Sequence, residues 1–231
     1  AGPIPGIMRS IPTVAPTVGR LAASADDFPG RLDEIDPSLL GPRQDHVLAE
    51  IVDGDISRDL SGLTLIDCRL DRLTAHGAVL AGARISDTIL TTVNATSLNA
   101  SRVSLQDVIV RDSRLGAVDL VDAGIRGLII ERCSIDFLNL RGTDLTDVLF
   151  RDCRIGDLDL GGVRADRVAF ENCQVDAFDA VNAKARNVDL RGLEIRGVRN
   201  PDGLRGMTLS PVQVALLSTA FARHLGIRVE E

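Results

Sequence analysis

The sequence predicts an all-β solenoid, a narrow rod built from square coils, and three observations carry that prediction. Every fifth residue from Leu60 to Ile195 is apolar, 28 consecutive positions without a slip of phase. A looser apolar lattice lies two residues before each of them, from Leu63, Cys68, Leu73, Ala78 and Ala83 through Val188 and Leu193. A period of five matches neither the 3.6 of a helix nor the 2.0 of a long strand. The third observation is a longer period of twenty: Cys133, Cys153 and Cys173 fall in one column, and Ile89, Ile109, Ile129 and Leu149 in another.

Within each pentad the two apolar residues are at strand spacing, and the rest is dominated by Asp, Arg, Asn, Ser, Thr and Gly, residues that suit a corner. Four pentads with right-angle corners close one coil of twenty residues. The lattice from Leu60 to Ile195 therefore makes about seven coils, a rod roughly 34 Å long at the strand spacing of about 4.8 Å. The column Asp71, Thr91, Arg111, Glu131, Arg151, Glu171, Arg191 alternates in charge from coil to coil, and its neighbour Arg72, Thr92, Asp112, Arg132, Asp152 alternates with the signs largely crossed. Such ladders set register, each exposed pair contributing about 0.2–1 kcal/mol.

The best copies of the repeat are Val118-Asp119-Leu120, Leu138-Asn139-Leu140-Arg141-Gly142, Leu158-Asp159-Leu160-Gly161-Gly162 and Val188-Asp189-Leu190-Arg191-Gly192. On these residues the chain resembles the pentapeptide repeat proteins, whose consensus is Ala-(Asp/Asn)-Leu-x-x. The resemblance spans about 60–199 and implies a right-handed quadrilateral β-helix. Inward centres depart from Leu at Ala75, Ala95, Ala100, Ala165, Ala180 and Ala185 and at Phe150 and Phe170, which should vary the coil's width without breaking it. Composition agrees: 45% of the chain is apolar yet only 3% aromatic, with no Trp or Tyr, as a narrow interior requires.

Seven of the nine prolines fall at or before Pro42 and the next is Pro201, so composition marks the flanks. The division read from the sequence is 1–54 for an N-terminal arm and capping segment, 55–200 for the β-helix and 201–231 for a C-terminal helix and tail. Residues 1–40 read as an extended arm, and 42–52 as a short helix covering the first coil's open edge. Ser210-Pro211 reads as a helix start, with Val214, Leu217, Phe221 and Leu225 at helical spacing and Gly226 as a stop. That apolar stripe either caps the last coil or pairs with a second chain. The resemblance to topoisomerase-protecting relatives, in which this end of the rod carries the dimer contact, favours a homodimer.

Two exterior features are candidates for binding. Ile89, Ile109, Ile129 and Leu149 lie at mid-face positions that should point outward. They form an aliphatic stripe expected to be covered, first by the N-terminal arm and otherwise by a partner. The second feature is acidic. The chain is formally −7 at pH 7. On the face centred on Leu120, Leu140, Leu160 and Ala180, the outward residues Asp119, Asp122, Asp136, Asp157, Asp159, Asp176 and Asp179 are opposed mainly by Arg141, about −6 over four coils. That is roughly one charge per 3 Å, against about 1.7 Å for duplex DNA. The bland reading is that Asp serves turns and solubility.

Charge density of this kind disfavours direct nucleic-acid binding but suits competition for a cationic DNA-binding saddle. The resemblance implies such a role: quinolone-resistance members of the family are understood to act on DNA gyrase and topoisomerase IV. No loop interrupts the phase, so the resemblance is to loopless members. The competing expectation is an interaction scaffold that docks through the stripe or the C-terminal helix, with no topoisomerase role.

No catalytic constellation is legible. His46, His76 and His224 are isolated, all four cysteines occupy inward positions, and there is no Cys/His metal spacing or glycine-rich phosphate loop. The expectation is a non-enzymatic protein with no cofactor and no metal. Pro12 and Pro16 make the uncharged stretch Ser10–Gly19 a poor signal-peptide core, and no run reaches the length of a membrane span, so a cytoplasmic location is expected.

Overall fold

A computed structural model describes residues 13–18 and 28–230. Among the described residues nineteen strands join one continuous parallel sheet that winds as a solenoid of about nine turns. Over most of the rod each residue pairs with the one twenty positions on. One inward column runs Ile85, Leu105, Ile125, Leu145, Ala165, Ala185, and another runs Leu115, Ile135, Ile155, Val175, Ile195.

The corners explain the polar half of the repeat. Three of the four corners turn on a residue in the left-handed region, with φ between 48° and 71°. Asp, Asn and Gly dominate there, as sterics require. At three of the five places where Arg stands instead, it is held by the left-handed Asp of the preceding coil: Arg72 by Asp53, Arg132 by Asp112 and Arg167 by Asp147, with Nε to Oδ1 distances of 2.6, 2.7 and 2.7 Å. The guanidinium in each case holds its carboxylate partner below the ordinary aspartate range. The crossed charge columns are therefore corner ties between coils.

Inside, both lattices pack into one cluster running from Leu40 to Leu217. Phe150 and Phe170 stack with ring centroids 4.7 Å apart, which accommodates the two large inward centres by placing them in adjacent coils. Small donors satisfy the carbonyl two residues before them. Thr88 and Ser113 donate at 2.6 and 2.8 Å, and the thiols of Cys68, Cys133, Cys153 and Cys173 donate at 3.2–3.3 Å in the same way.

The seven coils read from the lattice become about nine because the solenoid extends past both of its ends. Before Leu60 the phase shifts: Ile51 and Ile56 are inward, Ile56 stands four residues from Leu60, and pairing steps by nineteen, as in Ile51↔Leu70 and Asp45↔Thr64. One side shortened by a residue moves every earlier position off the lattice. The stretch 42–52 is accordingly strand, Asp45–Val47 and Ala49–Asp55, and not a helix. The first turn is smaller still, with Asp33 pairing Ala49 and a 3₁₀ turn at Pro37–Leu39 closing over Gly54. A Cβ on Gly54 would stand 2.4 Å from the Pro37 ring, so glycine is needed there. At the far end Val198 still pairs Phe178 at a step of twenty, and after a 3₁₀ turn at Pro201–Leu204 Met207 pairs Val188 at a step of nineteen. Nine coils span about 43 Å.

The C-terminal helix is two short helices, α1 (Pro211–Leu216) and α2 (Ser218–His224), which meet at Leu217. Ser210 accepts from the Gln213 amide while the Gln213 side chain accepts from the Ser210 amide, a reciprocal cap that fixes where α1 begins. Among the described residues no helix is long and apolar enough to cross a membrane.

Candidate interaction surfaces

The acidic edge begins as turn chemistry. Asp119, Asp159 and Asp179 share a sheet column with Asn139. Each of the four accepts the backbone N–H two residues on, at 3.1, 2.8, 3.0 and 3.2 Å respectively. Asn99, one coil earlier, does the same for Ser101 at 3.1 Å. A side-chain oxygen at this place closes the corner. Because asparagine serves twice, the turn does not need the charge; the same carboxylates also accept from side chains of neighbouring coils, Asp119 from the Asn139 amide, Asp159 from Arg141 and Asp179 from the Asn200 amide.

Neutralisation is greater than the sequence suggested. Arg141 lies 3.2 Å from Asp159, as read from the sequence. Arg196 also bonds Asp176 at 2.9 Å, and Arg199 forms a two-point contact with Asp157, Nη1 to Oδ1 at 3.0 Å. Three guanidiniums against the seven carboxylates leave about −4 in place of −6. This lowers the density to about one charge per 5 Å of rod. Asp122, Asp136 and Asp176 are the outermost of the seven, and Asp122 and Asp136 have no cationic partner among the described residues.

The aliphatic stripe lies on a different face. Ile89, Ile109, Ile129 and Leu149 stack in register, point outward and are nonetheless only 2–5% exposed. Val18 and Phe28 of the N-terminal segment pack on them, and the Phe28 ring sits 5.6 Å from the Arg69 guanidinium. The first part of that segment, residues 13–18, is tied to the corner beside the stripe. The Thr17 amide donates to Asp147 at 2.8 Å and the Val14 amide to Asn187 at 3.2 Å. The Thr13 hydroxyl meets that of Thr208 at 2.6 Å.

The C-terminal residues divide between two roles. Leu217 is 5% exposed and Phe221 partly buried, both packed on the solenoid core. Gln213, which the sequence reading did not single out, is buried and donates its amide to the carbonyls of Leu190 and Leu193 at 2.6 and 2.7 Å. It occupies the place that another coil would take. The Ser-x-x-Gln pattern at 210–213 signals the helix start, but nothing local signals the reach to Leu190. Val214 and Leu225 turn outward, 47% and 72% exposed, beside Val212 at 68% and Leu216 at 73%. The helical stripe thus does not act as one surface: half of it caps and half is presented.

The titratable groups elsewhere serve packing. His76 accepts the Thr96 amide at 3.0 Å through Nδ1, His46 meets Gln44 at 3.3 Å, and His224 pairs with Asp202 at 3.0 Å. The Cys133 thiol beside it, together with burial, pushes Cys153 up to about 12, and Cys153 in turn raises Cys173 far above the usual thiol range. Neither is a nucleophile at neutral pH. A shallow polar recess lies beside Cys153 and Cys173, lined by Asp152, Arg154, Asn172, Gln174 and Glu194. Among the described residues no group of three or more His, Cys, Asp or Glu side chains is arranged to hold a metal.

The architecture defines a fold class, the β-solenoid, here with a five-residue lattice that winds four-sided parallel coils. A trypsin-treated variant of QnrB1, a plasmid-mediated fluoroquinolone resistance protein, shares that fold: the two superpose with a TM-score of 0.53 over 85% of this chain and 95% of the other, at 17% identity. Full-length QnrB1 aligns over 82% of this chain and 94% of its own at 17% identity, with a TM-score of 0.33. No family model matches the sequence, and no curated protein does.

Proposed function

We propose that the chain works without catalysis, as a rod that presents a carboxylate edge to the DNA-binding surface of a type II topoisomerase, DNA gyrase or its topoisomerase IV relative, and so modulates or protects the enzyme. The observation that carries this reading is the column of Asp119, Asp159 and Asp179. Its turn role is met equally by Asn99 and Asn139, so the turn does not account for the negative charge, of which, among the described residues, only that of Asp159 is met by a guanidinium, Arg141. The fold shared with a fluoroquinolone resistance protein supports the same reading. Four unpaired thiols bonded to carbonyls suit a reducing compartment, and we place the protein in the cytoplasm.

The test follows from the turn chemistry. Asp119→Asn, Asp159→Asn and Asp179→Asn together keep every corner acceptor and remove three charges. Wild-type protein is expected to alter gyrase supercoiling or quinolone-stabilised cleavage, and the triple variant to lose most of that effect with an unchanged melting curve. A wild type that leaves both reactions untouched would end the topoisomerase reading.

A second reading has its own observation. Val212, Leu216 and Leu225 are each more than two-thirds exposed at the end of the rod, a patch of the kind that pairs with a second copy. Leu216→Asp with Leu225→Asp is the proper probe, because Leu217 and Phe221 serve the chain's own core. Light scattering should show the particle mass halved if the patch is a homodimer contact, and the scaffold role then rests on that contact.

A further inference from the structure

The corner that ties down residues 13–18 has the parts of a peptide-recognition site. The segment has no regular secondary structure and runs along the rod, across the strands. Its anchors Thr208, Asn187 and Asp147 step back through three coils, about 14 Å at the strand spacing. The four residue steps from Thr13 to Thr17 span about 13–14 Å when fully extended, so the segment is stretched to the length the anchors demand.

Recognition falls on its backbone and on one side chain. The strands beneath spend their amides and carbonyls on neighbouring coils, and the segment does not add to that ladder. Its two donors go instead to side-chain acceptors at the corner, Thr17 to Asp147 and Val14 to Asn187. Both acceptors are fixed by their own partners. Arg167 grips both oxygens of Asp147 at 2.7 Å, and the Asn187 amide donates to Asp166 at 2.9 Å. Pro16 lies between the two donor positions, where no amide is required, and favours an extended backbone. Val18 then drops onto the stripe and is only 6% exposed. Fixed acceptors for spaced amides and an apolar slot one step further divide the work as in other extended-peptide sites, main-chain bonds for affinity and a side-chain pocket for specificity.

We propose that the Asp147–Asn187 corner and the adjoining stripe of Ile109, Ile129 and Leu149 are a binding site for an extended peptide of the pattern Val-x-Pro-x-Val. Residues 14–18 fill it in cis, and the same kind of segment from another protein fills it when they leave. The cis segment competes at an effective concentration of the order of millimolar, so the site stays closed to weak ligands until the segment is displaced. This inference stands apart from the topoisomerase reading, since it uses a different face of the rod and different residues.

The experiment uses the full chain carrying Thr17→Pro and Val18→Asp, which removes the Asp147 donor and the buried side chain without touching the solenoid. The probe is a fluorescein-labelled synthetic peptide with the sequence of residues 11–20, and the readout is fluorescence anisotropy. The released chain should bind the peptide at least about tenfold more tightly than wild type does. Adding Asp147→Ala, or replacing the peptide's second valine of the motif by Asp, should abolish the gain. Equal binding to wild type and released chain, no binding to either, or binding indifferent to Asp147 would overturn the proposal. So would a doubling of mass by light scattering with no peptide uptake, which would assign the stripe to a second copy. Should the released chain aggregate, the wild type decides: millimolar unlabelled peptide must shift the Thr17 amide resonance as the cis segment is displaced, and an unmoved resonance refutes the site.

Discussion

Residues 13–18 and residues 207–225 both lie over apolar parts of the rod, yet they are attached in different ways. The C-terminal segment continues the stack: Met207 and Thr208 pair as a last strand, Gln213 satisfies two carbonyls of the final coil, and Leu217 enters the same core as the coils. The N-terminal segment makes no strand pair, and its single deeply buried side chain joins a small cluster separate from the core. The difference follows from what each covers. The end of a sheet leaves backbone groups that must find partners, whereas a finished face asks only for apolar contact. A cap of the first kind is part of the folded structure, and a cover of the second kind is replaceable.

That contrast can be broken at several points. Leu217→Ala should have the largest effect, about 2–4 kcal/mol lost in urea unfolding, because it opens a cavity under the cap. Gln213→Leu should cost about 1–3 kcal/mol by leaving the Leu190 and Leu193 carbonyls without donors. Hydrogen exchange should place that loss in the last coil, with the middle coils unmoved. Thr17→Pro should cost no more than about 1 kcal/mol and leave the melting curve of the rod in place, while amide exchange at Val14 rises. Equal losses from Gln213→Leu and Thr17→Pro would show that the two segments do not differ in kind.

The smallest effect is electrostatic. Arg167, and to a lesser degree the Thr17 amide, hold Asp147 below the ordinary carboxylate value of about 3.9. A group depressed on folding contributes stability that is fully present above its unfolded value and is lost as pH falls through its folded one. The Thr17 amide shift should therefore stay level from neutral pH to about 5 and move only below about 4. Asp147→Asn should keep the acceptor and flatten that change.

The interior lattice was legible because each inward place repeats at a spacing that no other regular structure uses. The first two coils were hidden by one missing residue between Ile56 and Leu60, which put Ile51 and Ile56 out of phase although they face inward like the rest. The last coil was hidden by Pro201 and by the step of nineteen to Met207. The acidic edge was legible in its residues but not in its net charge. Arg199 reaches Asp157 from two coils away, a contact of 42 residues in sequence that no twenty-residue column predicts. The helix stripe misled because one period can serve two faces, and the break at Leu217 turns Leu225 away from the surface Leu217 enters.

The constant step of twenty between neighbouring coils also makes length a separate variable from pattern. Duplicating or deleting twenty consecutive residues between Leu65 and Leu190 would lengthen or shorten the molecule by about 4.8 Å and keep the backbone register of the remaining coils. Such a molecule can be fitted to the dimensions of whatever it docks on by gene-level insertion of whole units, like adding links to a chain, without redesigning the backbone ladder.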